Sequence, residues 1–224
     1  MIRQDYILRM IDQLQRVLAS IAGLKAERRW QEITGTLDEQ FRELVGAGAA
    51  EAVRFSETEL MARLVQGENT RFVRDKTHFL IALFKEAGDA AAAQDQSEES
   101  RAFYIEGLHL LLGTVAGGDS FEPPDFVPGL EVLLAALADA PLPPRTQALL
   151  MCHYEKLGAF AKAEDVLFDL LDAEPGNSDA LDFGIAFYER LRGQSDMALA
   201  NGNLPRQELE GGLAELRQRQ AGSP

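Results

Sequence analysis

The chain has 224 residues, of which 46% are hydrophobic, so it is long enough and apolar enough to bury a core of its own. Its 36 acidic side chains outnumber the 22 basic ones, and the resulting formal charge of −14 repels the phosphate backbone of nucleic acids. The single cysteine excludes an internal disulfide framework, no secretory signal pattern opens the chain, and no apolar run approaches the roughly 20 residues of a membrane-spanning helix.

The first 122 residues contain no proline, which favours long helices. Apolar residues recur every three or four positions from 7 to 21, and this spacing predicts a helix of about six turns with one apolar stripe. A second helix is predicted from about residue 30 to the glycines at 46 and 48. The two helices are expected to form a hairpin. Its apolar residues form a predicted dimer face, which comprises Ile7, Met10, Ile11, Leu14, Val17, Leu18, Ile21 and Trp30.

Capping and glycine signals define the next helices. Ser56 with Glu59 three residues later is the pattern of a capping box and predicts a short helix that ends at Gly67. A longer helix is predicted from about Thr70 to a stop at Gly88. The alanine-rich stretch that follows is interpreted as an irregular link.

The second half of the chain also shows only helical periodicity. Ser97 is predicted to open a helix that breaks at Gly117, and a short helix lies between the prolines of residues 123–144, the best candidate for a boundary. Further helices are predicted near 145–157, 160–173, 178–192 and 205–218. Because no segment alternates with a period of two, we predict an all-α fold of about ten helices paired as antiparallel hairpins.

Residues 144–177 match the spacing of a 34-residue helix-turn-helix unit. Tyr154 and Phe160 supply large groups between the paired helices, Gly158 and Ala163 are small where backbones approach, and Pro175 ends the second helix. The unit resembles a tetratricopeptide repeat, and the resemblance implies a right-handed stack of hairpins in the C-terminal part. The unit departs from the family pattern at Gln147, Met151 and Leu170.

This resemblance also implies a peptide groove. A groove of this family offers residues of the first helix of each unit, which correspond here to Arg145, Glu155, Lys156, Asp182, Glu189 and Arg190. The family's clamp for a C-terminal carboxylate needs lysine and asparagine where this chain has Ala148 and Cys152, so that ligand is not expected.

Three other segments carry a second resemblance. They are MIRQDYILRMI at residues 1–11, GNLPR at 202–206 and LAEL at 213–216. Together they resemble an uncharacterised bacterial family described only as a domain of unknown function. The resemblance spans nearly the whole chain and implies a helical architecture without an established activity.

Catalytic and metal-binding patterns are missing from the sequence. His78, His109 and His153 are predicted on three different helices without a second ligand at metal spacing. Cys152 and His153 are adjacent on a helix, so their side chains point about 100° apart and do not form a ready nucleophile and base. We therefore expect no catalytic residue, no metal site, no cofactor and no enzymatic activity.

These observations favour a cytoplasmic, non-enzymatic scaffold for an unknown protein or peptide partner, without nucleic acid or membrane. Residues 1–67 are expected to form the helical hairpin and short helix that make a homodimer, and residues 68–224 the repeat region. Residues 1–30 carry six basic and three acidic side chains, so an acidic protein surface or an anionic membrane stays a less favoured alternative there. The alternative function is a small-molecule or metabolite sensor with an apolar pocket between the N-terminal bundle and the repeat hairpins.

Overall fold

The computed structural model describes residues 2–66, 70–116 and 123–222, which form twelve helices and no β-strand. The predicted all-α class is thereby confirmed, and ten of these helices have seven residues or more. In chain order they are α1 (Ile2–Ala26), α2 (Trp30–Val45), α3 (Ala49–Ala52), α4 (Glu57–Val65), α5 (Thr70–Ala92), α6 (Ser97–Ala116), α7 (Leu130–Ala136), α8 (Pro144–Lys156), α9 (Phe160–Ala173), α10 (Ser178–Arg192), α11 (Asp196–Asn201) and α12 (Arg206–Gly222). The two short helices α3 and α11 were not predicted from the sequence.

The chain divides into two compact units, Met1–Ala140 and Pro141–Pro224. The break lies within the proline-bounded segment that the sequence marks as a boundary. The predicted boundary at residue 67 falls inside the first unit, where α2 and α4 both pack against α5. The functional division into 1–67 and 68–224 stays a prediction.

The first unit is built around the paired helices α5 and α6, with α2, α4 and α7 packed against them. Its core contains the rings of Phe41 and Phe84, whose centroids are 4.9 Å apart. Local signals place the helix ends as predicted: α2 ends at Gly46, which has a φ of 72°, and Ser56 and Glu59 form both hydrogen bonds of the capping box. The predicted stops at Gly67 and Gly117 lie outside the described residues.

The predicted stop at Gly88 is wrong, because α5 continues through it to Ala92. A Cβ atom at Gly88 would lie 2.6 Å from Cε1 of Tyr104. The missing side chain of Gly88 therefore allows α6 to pack closely against α5. The Ser100 hydroxyl donates a hydrogen bond to the Gly88 carbonyl across the same contact. Most of the segment interpreted as an irregular link is therefore helix and a tight turn.

The second unit consists of two consecutive helical hairpins, α8 with α9 and α10 with α12. Gly158, with a φ of 71°, allows the three-residue turn between α8 and α9. The Ala161 amide donates to the Gly202 carbonyl at 2.9 Å and fixes the chain before α12 against the start of α9. Tyr188 and Phe187 of α10 are fully buried in the core of this unit.

Candidate functional site

Two of the predicted groove residues meet across neighbouring helices. The guanidinium of Arg190, on α10, donates to both carboxylate oxygens of Glu155, on α8, at 2.8 and 2.7 Å. This bidentate geometry is typical of a planar guanidinium and a carboxylate. It holds the exposed sides of α8 and α10 next to each other.

Cys152 lies beside this ion pair. Its side chain is half-buried and is within electrostatic reach of Glu155, Lys156 and Arg190. Burial and the negative charge of Glu155 raise the pKa of the Cys152 thiol, which lowers the fraction of reactive thiolate at neutral pH. The arrangement therefore suits a contact surface better than a nucleophile.

Arg145, Ala148, Cys152 and Lys156 follow one side of α8, with Arg145 and Lys156 exposed at its two ends. We call these four residues, together with the pair of Glu155 and Arg190, the α8 face. Four of its six members are positions implied by the groove, and the other two, Ala148 and Cys152, lie between Arg145 and Lys156 on α8. The face therefore combines three cations, one carboxylate and a small apolar centre.

The other two predicted groove residues face a different helix. Asp182 accepts a hydrogen bond from Gln220, and Glu189 accepts one from Arg217, and both of these donors belong to α12. Asp182 and Glu189 are seven residues apart and so share one side of α10, whereas Arg190 lies on the side toward α8. The structure thus brings Glu155, Lys156 and Arg190 together and places Asp182 and Glu189 apart from them.

The predicted dimer face falls into three groups of residues. Leu14 and Ile21 are buried within the chain, Val17, Leu18 and Trp30 are half-buried, and the side chains of Ile7, Met10 and Ile11 lie outside the described residues. Gln13 donates to Glu43, near the end of α2, so this part of α1 lies along α2. Leu14 and Ile21 are therefore used within the chain, and the role of Ile7, Met10 and Ile11 stays a prediction.

A half-buried polar network joins α1, α5 and α6. The Lys25 ammonium contacts Glu86 and Asp89, and Asp89 also accepts hydrogen bonds from Lys85 at 2.8 Å and from the Tyr104 hydroxyl at 2.7 Å. Burial alone would raise the pKa of Asp89, but the hydrogen bonds from Lys25, Lys85 and Tyr104 hold it below its ordinary value. From the sequence, only the pair of Lys85 and Asp89 can be predicted, because these residues are four positions apart on one helix. The other partners of Asp89, Lys25 and Tyr104, belong to other helices.

A second network was not found from the sequence. The Tyr188 hydroxyl of α10 donates to Glu164 of α9 at 2.5 Å. Burial and the nearby carboxylates of Glu208, Asp165 and Glu215 raise the pKa of Glu164. Within residues 2–66, 70–116 and 123–222, no group of three or more His, Cys, Asp or Glu side chains is arranged to hold a metal ion.

Comparison with known proteins gives one result. Residues 1–221 match a family of unknown function (DUF6483), and the chain belongs to that family. Neither curated proteins nor solved structures give a match. In the part of the chain that the structure describes, no helix is long and apolar enough to cross a bilayer.

Proposed function

We propose that this member of the DUF6483 family is a non-enzymatic, cytoplasmic scaffold that binds a protein or peptide partner through the α8 face. The hairpins of the second unit would then act as divergent tetratricopeptide-like repeats, in which the first helices of consecutive units carry the contact surface. The observation that carries this proposal is the paired contact between Arg190 and Glu155, because it joins the exposed sides of α8 and α10 into one surface.

The chemistry of the α8 face supports binding rather than catalysis. The raised pKa of the Cys152 thiol opposes nucleophilic attack at neutral pH. His153 is a neighbour of Cys152 in sequence, and burial lowers the pKa of its imidazole, so it carries little charge at neutral pH. A surface of this kind recognises its partner by shape and charge.

The scaffold is further proposed to be a homodimer that forms through the first turns of α1. Ile7, Met10 and Ile11 continue the apolar spacing of Leu14 and Ile21 on the same helix. Replacing both Ile7 and Ile11 by aspartate should convert a dimer into a monomer in light scattering. An unchanged mass would contradict the dimer, and deletion of α2 is unsuitable as a test because Ile33 and Phe41 are part of the core.

Site-specific cross-linking tests the scaffold proposal. Cys152, the only cysteine, is replaced by alanine, and a new cysteine at Leu157 carries a photo-activated cross-linker. Leu157 follows α8 directly and is 63% exposed. The matched control carries the cross-linker at Ala214, an exposed position of α12.

We expect one partner to be cross-linked in the native cell extract from Leu157→Cys and not from Ala214→Cys. Excess unlabelled chain should compete for it. The partner is then identified by mass spectrometry and must bind the chain when purified. The same products from both positions, or none from either, would contradict the scaffold proposal.

A further inference from the structure

A cleft of about 490 Å³ lies within the second unit, between the C-terminal ends of α9 and α12 and the first turns of α10. One turn further along α10 the three helices pack closely, since a Cβ atom at Gly184 would lie 2.7 Å from Leu216 and 2.8 Å from Leu167. The cleft begins where this close packing ends, and its volume is in the range of small-molecule sites.

The lining of the cleft has an apolar part and a polar part. It includes Leu171, Leu181 and Pro175 on the apolar side and Asp172, Gln218 and Arg219 on the polar side. The cleft can therefore contact a ligand that has both an apolar body and a polar group.

The chain around the cleft is strongly acidic. From residue 163 to residue 189 the sequence contains eight carboxylates and no lysine, arginine or histidine. Two of these carboxylates, Glu174 and Asp182, accept hydrogen bonds from the neutral amides of Asn177 and Gln220, which leave the negative charges in place. The electrostatic potential at the cleft is therefore negative.

Arg219, which also lines the cleft, already has a carboxylate partner. Its guanidinium donates to Glu215, one turn earlier on α12, at 2.6 Å, and it lies 5.9 Å from the centre of the Phe168 ring. The Asp172 side chain is exposed, and within the described residues no ion pair engages its carboxylate. Asp172 is thus available to a cation in the cleft.

The backbone adds partial negative charge at the same place. Both α9 and α12 end at the cleft, and the last carbonyl groups of a helix carry the negative end of its dipole. In α9, the Leu171 carbonyl cannot accept from the residue four positions later, because Pro175 has no amide hydrogen. Such helix ends stabilise cations.

We propose that this cleft binds a small organic amine, whose ammonium group lies at Asp172 and the helix ends and whose apolar body contacts Leu171, Leu181 and Pro175. This site is separate from the α8 face, and the inference does not rest on the scaffold function. Binding is expected to weaken as the salt concentration rises.

The test titrates the full chain, labelled with nitrogen-15, with three probes that share a phenyl ring on a two-carbon chain. At neutral pH 2-phenylethylamine is a cation, 2-phenylethanol is neutral and phenylacetate is an anion. We expect the amine to cause saturable shifts of the backbone amide resonances in residues 171–176 and 218–222. It should bind about fivefold or more tightly than the alcohol, and phenylacetate should give no saturable shift there.

Two aspartate variants test the role of charge. Asp172→Asn removes the carboxylate charge with little change in size, and it should weaken binding of the amine about fivefold or more. The matched control is Asp165→Asn, an exposed position about two turns earlier on the same side of α9, and it should weaken binding less than about twofold. Circular dichroism establishes that the variants are folded.

Two glutamine variants test the place of binding. Gln218 is exposed and lines the cleft, so Gln218→Phe should fill part of it and remove the saturable shifts. Gln207→Phe, at an exposed position near the other end of α12, should leave them unchanged.

The amine proposal is overturned if the amine gives no saturable shift in residues 171–176 and 218–222, or if the alcohol binds as tightly. Equal effects of the two aspartate variants, or of the two glutamine variants, would also overturn it. Tighter binding of phenylacetate would assign the cleft to anions and contradict the proposal. The cross-link from Leu157 is independent of these outcomes, so the scaffold proposal would stand if the amine proposal fails.

Discussion

Two adjacent glycines in α12 show how strongly a single residue depends on its surroundings. A Cβ atom at Gly211 would meet nothing within 4 Å, whereas one at Gly212 would overlap the hydroxyl end of Tyr188. Tyr188 is fully buried and is held by its hydrogen bond to Glu164, so it has little room to move. Only the second glycine is required for packing.

We expect Gly211→Ala to raise the free energy of unfolding by about 0.5–1 kcal/mol, because alanine is the better helix former. Gly212→Ala should lower it by about 1–3 kcal/mol, because the added methyl group overpacks the contact with Tyr188. Urea unfolding followed by circular dichroism measures both. Effects of the same sign would show that the two environments are not distinct.

The half-buried Glu164 predicts a pH-dependent stability. Its pKa is raised in the folded state, so the folded chain holds the proton more tightly and stability falls as the pH rises above the ordinary value of 4.5. Glu164→Gln keeps an acceptor for Tyr188 and removes the charge. The variant should be more stable than the wild type by about 0.5–1 kcal/mol at pH 7.

This advantage of Glu164→Gln should disappear below pH 4.5, where the wild-type carboxyl is also neutral. Thermal unfolding at a series of pH values measures the difference. Asp169→Asn on the exposed side of α9 serves as the control and should not change the pH profile in the same way. A constant difference across the pH range would refute the prediction.

At the scale of elements, both apolar and polar contacts join the second half of α1 to its neighbours. Leu14 and Ile21 are buried, and near its C-terminal end Lys25 contacts Glu86 and Asp89 of α5. The Lys25 and Glu86 side chains are 23% and 16% exposed, so solvent screens this contact less than an ordinary surface ion pair. The second half of α1 is thus held to α5 by charge as well as to α2 by packing.

Lys25→Met should lower the free energy of unfolding by about 1–2 kcal/mol, between the values typical of exposed and of buried ion pairs. Hydrogen exchange measured by mass spectrometry should accelerate in residues 14–26. The matched control is Arg29→Met, whose ion pair with Glu32 is about half exposed, and it should destabilise the chain less than Lys25→Met does. If both variants lose the same free energy of unfolding, the contact of Lys25 with α5 stabilises the chain no more than an exposed ion pair does.

At the scale of the whole molecule, the chain consists of two compact units, Met1–Ala140 and Pro141–Pro224. The second unit buries large side chains from α8 to α12, including Phe160, Leu167, Phe187 and Leu213. A helix end of this unit is also satisfied from within the unit, because Arg206 donates to the carbonyls of Arg192 and Gln194 at the end of α10.

The fragment of residues 141–224 should therefore fold by itself. We expect a helical circular dichroism spectrum and a cooperative thermal transition, with Gly212→Ala lowering the midpoint of the fragment as it does that of the full chain. A spectrum without helical minima, or a transition without cooperativity, would show that the second unit depends on the first.

Much of the helical layout could be predicted, because helix ends depend on a few neighbouring residues. Gly46 and the capping box of Ser56 and Glu59 act within one turn, and their predicted positions hold. The three-residue turn at Gly158 is equally local. The candidate site was predicted less completely from the sequence, since only Glu155, Lys156 and Arg190 of the implied groove residues lie together.

Contacts between helices account for the features that could not be predicted from the sequence. Gly88 carries the same local signal as a helix stop, yet Tyr104, sixteen residues later, packs on it and the helix continues. The contact of Lys25 with Asp89 and the hydrogen bond of Tyr188 to Glu164 also join residues that are far apart in the chain. The sequence by itself determined where helices form, because backbone propensity is local, and only the tertiary structure decided which side chains meet, because those contacts depend on residues far apart in the chain.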